Sequence, residues 1–144
     1  MTDITKELCE GLKRLAGLPL ETPSLPRRVL VVDDDPDDAQ LIQTALAGIG
    51  CETSVARSGE AAEKMVKSAR PFSRIFLDLS LPAGKDGVET LASIRAMAPL
   101  TPITIVTGYA SPDLVGAAAA IRCEVIDKFT EVEKLRDAII KAMG

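Results

Sequence analysis

The stretch Arg28-Val29-Leu30-Val31-Val32-Asp33-Asp34-Asp35-Pro36 most narrows the folds open to this chain. Four apolar β-formers run straight into three carboxylates and a proline. So short an unbroken apolar run reads as a strand buried on both faces, which requires a parallel sheet flanked by helices. Asp35-Pro36 is a helix start, a capping side chain followed by a residue whose φ suits the first turn. Three acids therefore sit where a central strand hands over to a helix. In an open α/β sheet that edge, the carboxyl end of the strands, is where ligands bind. Adjacent carboxylates repel, and a hard cation such as Mg²⁺ relieves the repulsion through one or two carboxylates plus water and a phosphate oxygen.

The remaining periodicity repeats this unit. After a predicted amphipathic helix over residues 3–16, with Ile4, Leu8, Leu12 and Leu15 on one stripe, Gly17, Pro19, Pro23 and Pro26 mark an extended linker. The stripe is expected to pack on the chain's own domain or on a partner. Residues 1–26 thus form a helix and linker, and residues 27–144 the main domain. Strands are expected over 28–33, 51–56, 73–78, 102–107 and 123–127. Helices are expected over about 36–48, 59–69, 87–97, from 112 on, and over 131–143. In the first of these Ala39, Leu41, Ile42, Ala45, Leu46 and Ile49 face inward, and Gly48 and Gly50 end it. Ser58 and Ser111 read as N-caps, and Thr130 with Glu133 reads as a capping box for the last helix, whose Val132, Leu135 and Ile139 point inward. Five βα units with short links predict an α/β fold: a doubly wound, five-stranded parallel sheet with an extra N-terminal helix.

Composition removes several chemistries. The chain has 144 residues and no histidine, which excludes the usual serine or cysteine triad and a His-ligated zinc site, and means that it cannot carry phosphate on histidine. Its three cysteines, Cys9, Cys51 and Cys123, are odd in number and lack CxxC spacing, as expected of structural thiols in a reducing, cytoplasmic setting. A net charge of −4 argues against direct nucleic-acid or anionic-membrane binding. No signal peptide or membrane span is expected. Aromatic residues are 3% of the chain, so the core is expected to be aliphatic.

Four strands end on reactive polar residues: Asp33 and Asp34 on the first, Asp78 on the third, Thr107 on the fourth, and Lys128 just after the fifth. All fall at the carboxyl edge and can converge on one pocket. These residue types suit phosphoryl transfer. A carboxylate attacks phosphorus to form an acyl phosphate, paired acids hold Mg²⁺ or Mn²⁺, and a hydroxyl and an ammonium bind the phosphoryl oxygens.

From Arg28 to Met143 the chain resembles the receiver domain of two-component response regulators. The resemblance rests on Val-Leu-Val-Val-Asp-Asp-Asp-Pro, Ile-Phe-Leu-Asp-Leu-Ser-Leu-Pro, Ile-Thr-Ile-Val-Thr-Gly and Val-Ile-Asp-Lys-Phe, in this order. It implies a (βα)₅ flavodoxin-like fold. By position it implies that Asp78 is the phosphoacceptor, with Asp33 and Asp34 as Mg²⁺ acids and the Ser80 main-chain carbonyl as a further metal ligand. It implies Thr107 as the switch hydroxyl and Lys128 as the phosphate-binding lysine. The phosphoryl donor would be a histidine kinase or phosphotransfer protein. The output would be a changed binding surface for another protein, with dimerisation open. Such a domain is not a conventional enzyme, although it assists its own phosphorylation and dephosphorylation. The expectation is a receiver with a short N-terminal extension and no fused effector domain.

Three departures stand out. The family usually has proline after the lysine, joined by a cis peptide, where this chain has Phe129. A cis bond to a non-proline residue costs roughly 2.5–4 kcal/mol, so a trans loop is expected. Ala83-Gly84-Lys85 lengthens the loop after Pro82 by one residue. Val125 stands where the fifth strand often carries a switching aromatic. Two other readings follow from the residues. One is a degenerate receiver that acts as an interaction module without phosphorylation. The other is a haloacid-dehalogenase-like phosphohydrolase, whose first three motifs are imitated by Asp33 with Asp35 two residues on, by Thr107-Gly108 and by a later lysine.

Overall fold

A computed structural model describes residues 3–16, 26–68, 70–79, 87–108 and 110–144. Helix α1 (Asp3–Ala16) precedes five strands, β1 (Arg28–Val32), β2 (Glu52–Ala56), β3 (Arg74–Leu77), β4 (Ile103–Thr107) and β5 (Glu124–Asp127). Between and after them come α2 (Pro36–Ala47), α3 (Gly59–Val66), α4 (Gly87–Met97), α5 (Pro112–Ala120) and α6 (Val132–Ala142). The strands form one parallel sheet in the order β2-β1-β3-β4-β5. The expected doubly wound α/β fold is what forms.

The apolar run of β1 is buried on both faces. Val29 and Val31 enter one core with Ala39, Ile42 and Leu46 of α2 and Leu135 and Ile139 of α6. Leu30 and Val32 enter the other with Ala62 of α3, Leu91 and Ile94 of α4 and Ala118 of α5. Period-two side-chain alternation feeds two helical layers at once. The core is not wholly aliphatic. Phe76, on the central β3, is the largest of the fully buried side chains, and Phe72 is buried in the core on the other face of the sheet. Scarcity of aromatics across a chain does not decide where the few are placed.

Local signals set most helix ends. Asp35 Oδ1 accepts from the Asp37 and Asp38 amides, Ser58 Oγ from Ala61, and Ser111 Oγ from Leu114. Gly50 takes φ +81° just past α2, a left-handed conformation that glycine adopts without penalty. The expected capping box at Thr130 does not form. The N-cap of α6 is Glu131, and no side chain caps it. The chain leaves β5 through a turn in which the Phe129 amide donates to Asp127 Oδ1, and the helix begins one residue late. Val132, expected inward, then points to solvent at 62% exposure.

Ile4, Leu8 and Leu12 of α1 are also largely exposed, so this stripe does not pack on the domain as one reading expected. Most of the linker, and the lengthened loop at Ala83-Gly84-Lys85, lie outside the described residues. The three cysteines are free, Cys51 and Cys123 within the core and Cys9 on the surface. Among the described residues no helix is long and apolar enough to cross a membrane.

Candidate functional site

The strand order reverses between β1 and β3, since the chain runs outward to β2 from one and to β4 from the other. Connections on opposite sides of that point leave a crevice at the carboxyl edge. Asp33 ends β1 on one flank of it and Asp78 ends β3 on the other. Both are buried, with 1% and 2% exposure. Ladder hydrogen bonds hold their backbones, from Asp33 N to Ala56 O (3.0 Å) and from Asp78 N to Val32 O (2.9 Å). These are acids fixed by the sheet itself.

The two oxygens of Asp33 differ. Oδ1 accepts the Asp35 amide at 3.0 Å. Oδ2 is buried and has no hydrogen-bond partner. Burial raises the carboxyl pKa from 3.8 to about 6, against the opposing pull of the Asp35 amide and the Lys128 ammonium. Asp78 and Asp38 push it further up. An acceptor-only oxygen left without a donor in a buried site suits a cation.

Lys128 lies across the crevice with its side chain 11% exposed. Its Nζ is 2.8 Å from Asp78 Oδ2, 2.9 Å from Asp38 Oδ2 and 3.6 Å from Asp33 Oδ2. Burial alone would lower its pKa. The bonds to Asp78 and Asp38 and the field of Asp33 outweigh burial and raise it above the ordinary lysine value, so the group remains an ammonium. Its amide donates to Thr107 O at 2.9 Å, which ties the lysine loop to the end of β4. Thr107 is the last residue of that strand and is buried.

One carboxylate oxygen each from Asp33, Asp34 and Asp78 can be chosen so that all lie within 4.8 Å of one another. The donor set is all oxygen, as a hard cation requires, so the residues fit Mg²⁺ or Mn²⁺.

The structure therefore brings together Asp33, Asp34, Asp78 and Lys128, with Thr107 on the adjoining strand end. Ser80 lies outside the described residues. Asp38 was not singled out by sequence, because an acid in the first turn of a helix is ordinary dipole complementation. Asp35, the second acid of the dehalogenase-like reading, is exposed and accepts two helix amides as a cap.

A further contact involves the departure at Phe129. A Cβ at Gly108, the residue after Thr107, would overlap the Phe129 ring at Cε2, Cδ2 and Cζ. The ring thus occupies the space a side chain at 108 would fill, although Phe129 as a whole is 74% exposed.

Comparison with known proteins gives a consistent result. The response regulator receiver domain family matches residues 29–140. The transcriptional regulatory protein ZraR of Escherichia coli O157:H7 is 32% identical over 119 residues, which cover 81% of this chain and 26% of ZraR. The response regulator PilR of Pseudomonas aeruginosa is 28% identical with the same coverage of each chain. This chain thus spans about a quarter of the length of those curated relatives. Among solved structures, Vibrio cholerae chemotaxis protein CheY4 superposes with a TM-score of 0.69 at 26% identity, covering 82% of this chain and 99% of its own. NtrX of Brucella abortus gives a TM-score of 0.71 at 25% identity, covering 83% and 27%.

Proposed function

This chain belongs to the response regulator receiver domain family, and on that premise we propose that it accepts a phosphoryl group on Asp78 in a Mg²⁺-dependent reaction. The observation that carries the reading is the buried pair of acids, Asp33 and Asp78, facing one ammonium across the strand-order reversal. Asp33 Oδ2, which accepts no hydrogen bond and has only the Lys128 ammonium at 3.6 Å, supplies a further anionic oxygen in the same pocket.

In the reaction, an oxygen of Asp78 attacks phosphorus in line with the departing group. A P–O bond to the carboxylate forms as the donor's P–N or P–O bond breaks. The leaving imidazole or oxyanion departs with the donor's electron pair. Asp33, Asp34 and Asp78 would hold a divalent cation, which would supply charge neutralisation for the phosphoryl oxygens. Lys128 exchanges its bond to Asp78 Oδ2 for one to a phosphoryl oxygen, and the Thr107 hydroxyl donates to another. Ser80 would give its carbonyl to the metal, as the family resemblance implies.

The donor would be a histidine kinase or a histidine-containing phosphotransfer protein, met in the cytoplasm. The Mycolicibacterium smegmatis relative MtrA is a DNA-binding response regulator. For this chain the output is a protein-binding surface changed by phosphorylation, with no direct nucleic-acid contact at the receiver. Val125 is half-buried and packs into the core beneath α5. The change is therefore expected to run through Thr107 and the 108–112 loop, with little movement at residue 125.

Intact-mass measurement after incubation with acetyl phosphate and Mg²⁺ tests the reading. One phosphoryl adduct is expected on wild-type protein and none on folded Asp78→Asn. Full labelling of that variant would refute the assignment. No reaction in either would support the phosphorylation-independent interaction module.

A further inference from the structure

Lys128 meets three carboxylates, but only Asp33 and Asp78 belong to the trio that could hold a cation. The third, Asp38, stands on the first turn of α2, with its side chain 37% exposed. The helix does not need an acid there. Asp35 already caps the amides of residues 37 and 38, and Asp37 already places an acid in that turn. Nevertheless Asp38 Oδ2 lies 2.9 Å from Lys128 Nζ, as close as hydrogen-bonded ion pairs come.

This third contact changes how the ammonium and a divalent cation share the pocket. A lysine paired only with Asp33 and Asp78 would compete with the metal for the same two carboxylates. Once the metal drew their charge, that lysine would be buried without a partner, which is costly. An acid outside the trio removes the conflict. The cation takes up the charge of Asp33, Asp34 and Asp78, while the ammonium keeps a full counter-ion.

We propose that Asp38 is a positioning residue for Lys128, anchoring its ammonium beside the acid trio so that a divalent cation can bind there without displacing the lysine. The inference rests on the proposed phosphoacceptor reading, since it assigns Asp38 to the same site. In that site the anchored lysine stays within reach of the phosphoryl group on Asp78.

The test uses the full chain and two readouts. In metal-free protein, the Lys128 side-chain resonances at Cε and Nζ are compared between wild type, Asp38→Asn and Asp37→Asn. A shift in the first variant and none in the second is expected: both remove one charge from the same turn, but of the two only Asp38 contacts Lys128. Mg²⁺ titration then gives affinity. Asp38→Asn should weaken it roughly two- to fivefold, the range one partly exposed ion pair is worth, and Asp38→Glu should recover most of the loss. In a Lys128→Gln background the effect of Asp38→Asn should shrink to that of Asp37→Asn. An equal effect in both backgrounds would overturn the proposal, because the acid would then act only as a nearby charge. Mg²⁺ uptake by the wild type with unmoved Lys128 resonances in Asp38→Asn would overturn it while leaving the phosphoacceptor reading intact. A wild type that takes up no Mg²⁺ would overturn both.

Discussion

Two helices begin beside the site, and their starts are built differently. Before α2 the chain is tied by carboxylates in series: Asp33 Oδ1 accepts the Asp35 amide, and Asp35 Oδ1 accepts the amides of Asp37 and Asp38. Pro36 sets the first turn. Before α6 no side chain caps the helix, and the turn is held by Asp127 and by the Lys128 amide on Thr107. The Asp33–Asp38 segment of the acid half is thus held by near neighbours in sequence, in addition to the sheet bonds that fix Asp33 and Asp78. The lysine half is held from a distance, by β4, Asp78 and Asp38. Under the proposed function, a receiver that binds a cation and then responds to a phosphoryl group would use both kinds of support. The fixed acids define the site, and the tethered lysine can change partners.

The largest expected effect tests how much charge the rigid half tolerates. Asp33 has a folded-state pKa of about 6 against 3.8 unfolded. A raised pKa means that the folded state binds the proton more tightly. Its stabilising contribution is complete below about pH 3.8 and is lost as the pH rises through 6. The difference of about two units corresponds to up to about 3 kcal/mol. Metal-free Asp33→Asn should therefore be more stable than wild type at pH 7.5, with the gap closing toward pH 4. Urea midpoints in EDTA measure it. A gap that stays constant with pH would show that Asp33 carries its charge without strain. Mg²⁺ should narrow the gap at pH 7.5 by stabilising wild type alone.

A smaller effect compares the two caps directly. Asp35→Ala leaves two amides of α2 unsatisfied and should cost about 1 kcal/mol. The backbone amide of residue 35, which Asp33 Oδ1 accepts, is kept in this variant, so Mg²⁺ affinity should change little. Glu131→Ala removes a side chain that caps nothing and should stay within about 0.5 kcal/mol. Equal losses in the denaturation curves would erase the distinction between the two helix starts.

The same contrast explains what was legible in the sequence. Val-Leu-Val-Val-Asp-Asp-Asp-Pro is local grammar: a buried strand, its end and a helix cap, each read from neighbours a few residues apart. Asp78 and Thr107 were legible because each ends an apolar run, and a parallel sheet brings such ends to one edge. The partners of Lys128 were not, because Asp38 reaches it only after α2 has packed on the sheet beside α6. Thr130 and Glu133 had the spacing of a capping box, but the turn at Asp127 delayed the helix and turned Val132 outward. In α1 a helical period fixed a face without fixing what covers it, and Ile4, Leu8 and Leu12 lie exposed.

The smallest effect concerns the tethered half alone. The Phe129 ring fills the space beside Gly108, so Gly108→Ala forces the ring to move. Its φ is not in the left-handed region, so the backbone accepts alanine. An alanine that adopts the native backbone without strain stabilises by about 0.4–1 kcal/mol through the unfolded chain. Against that stands the loss of the ring contact, which is cheap because Phe129 is mostly exposed and can swing into solvent. Gly108→Ala should therefore be close to neutral in wild type and stabilising in Phe129→Ala, with a coupling of about 0.5–1 kcal/mol. A denaturation double-mutant cycle measures it. If the ring helps to hold the Lys128 loop against the end of β4, the same pair should also show coupled changes in the lifetime of the Asp78 adduct, because Thr107 immediately precedes Gly108 and Lys128 immediately precedes Phe129. Additive stabilities together with additive lifetimes would mean that the ring merely lies beside Gly108, and that the lysine is held by its ion pairs and by its amide bond to Thr107 alone.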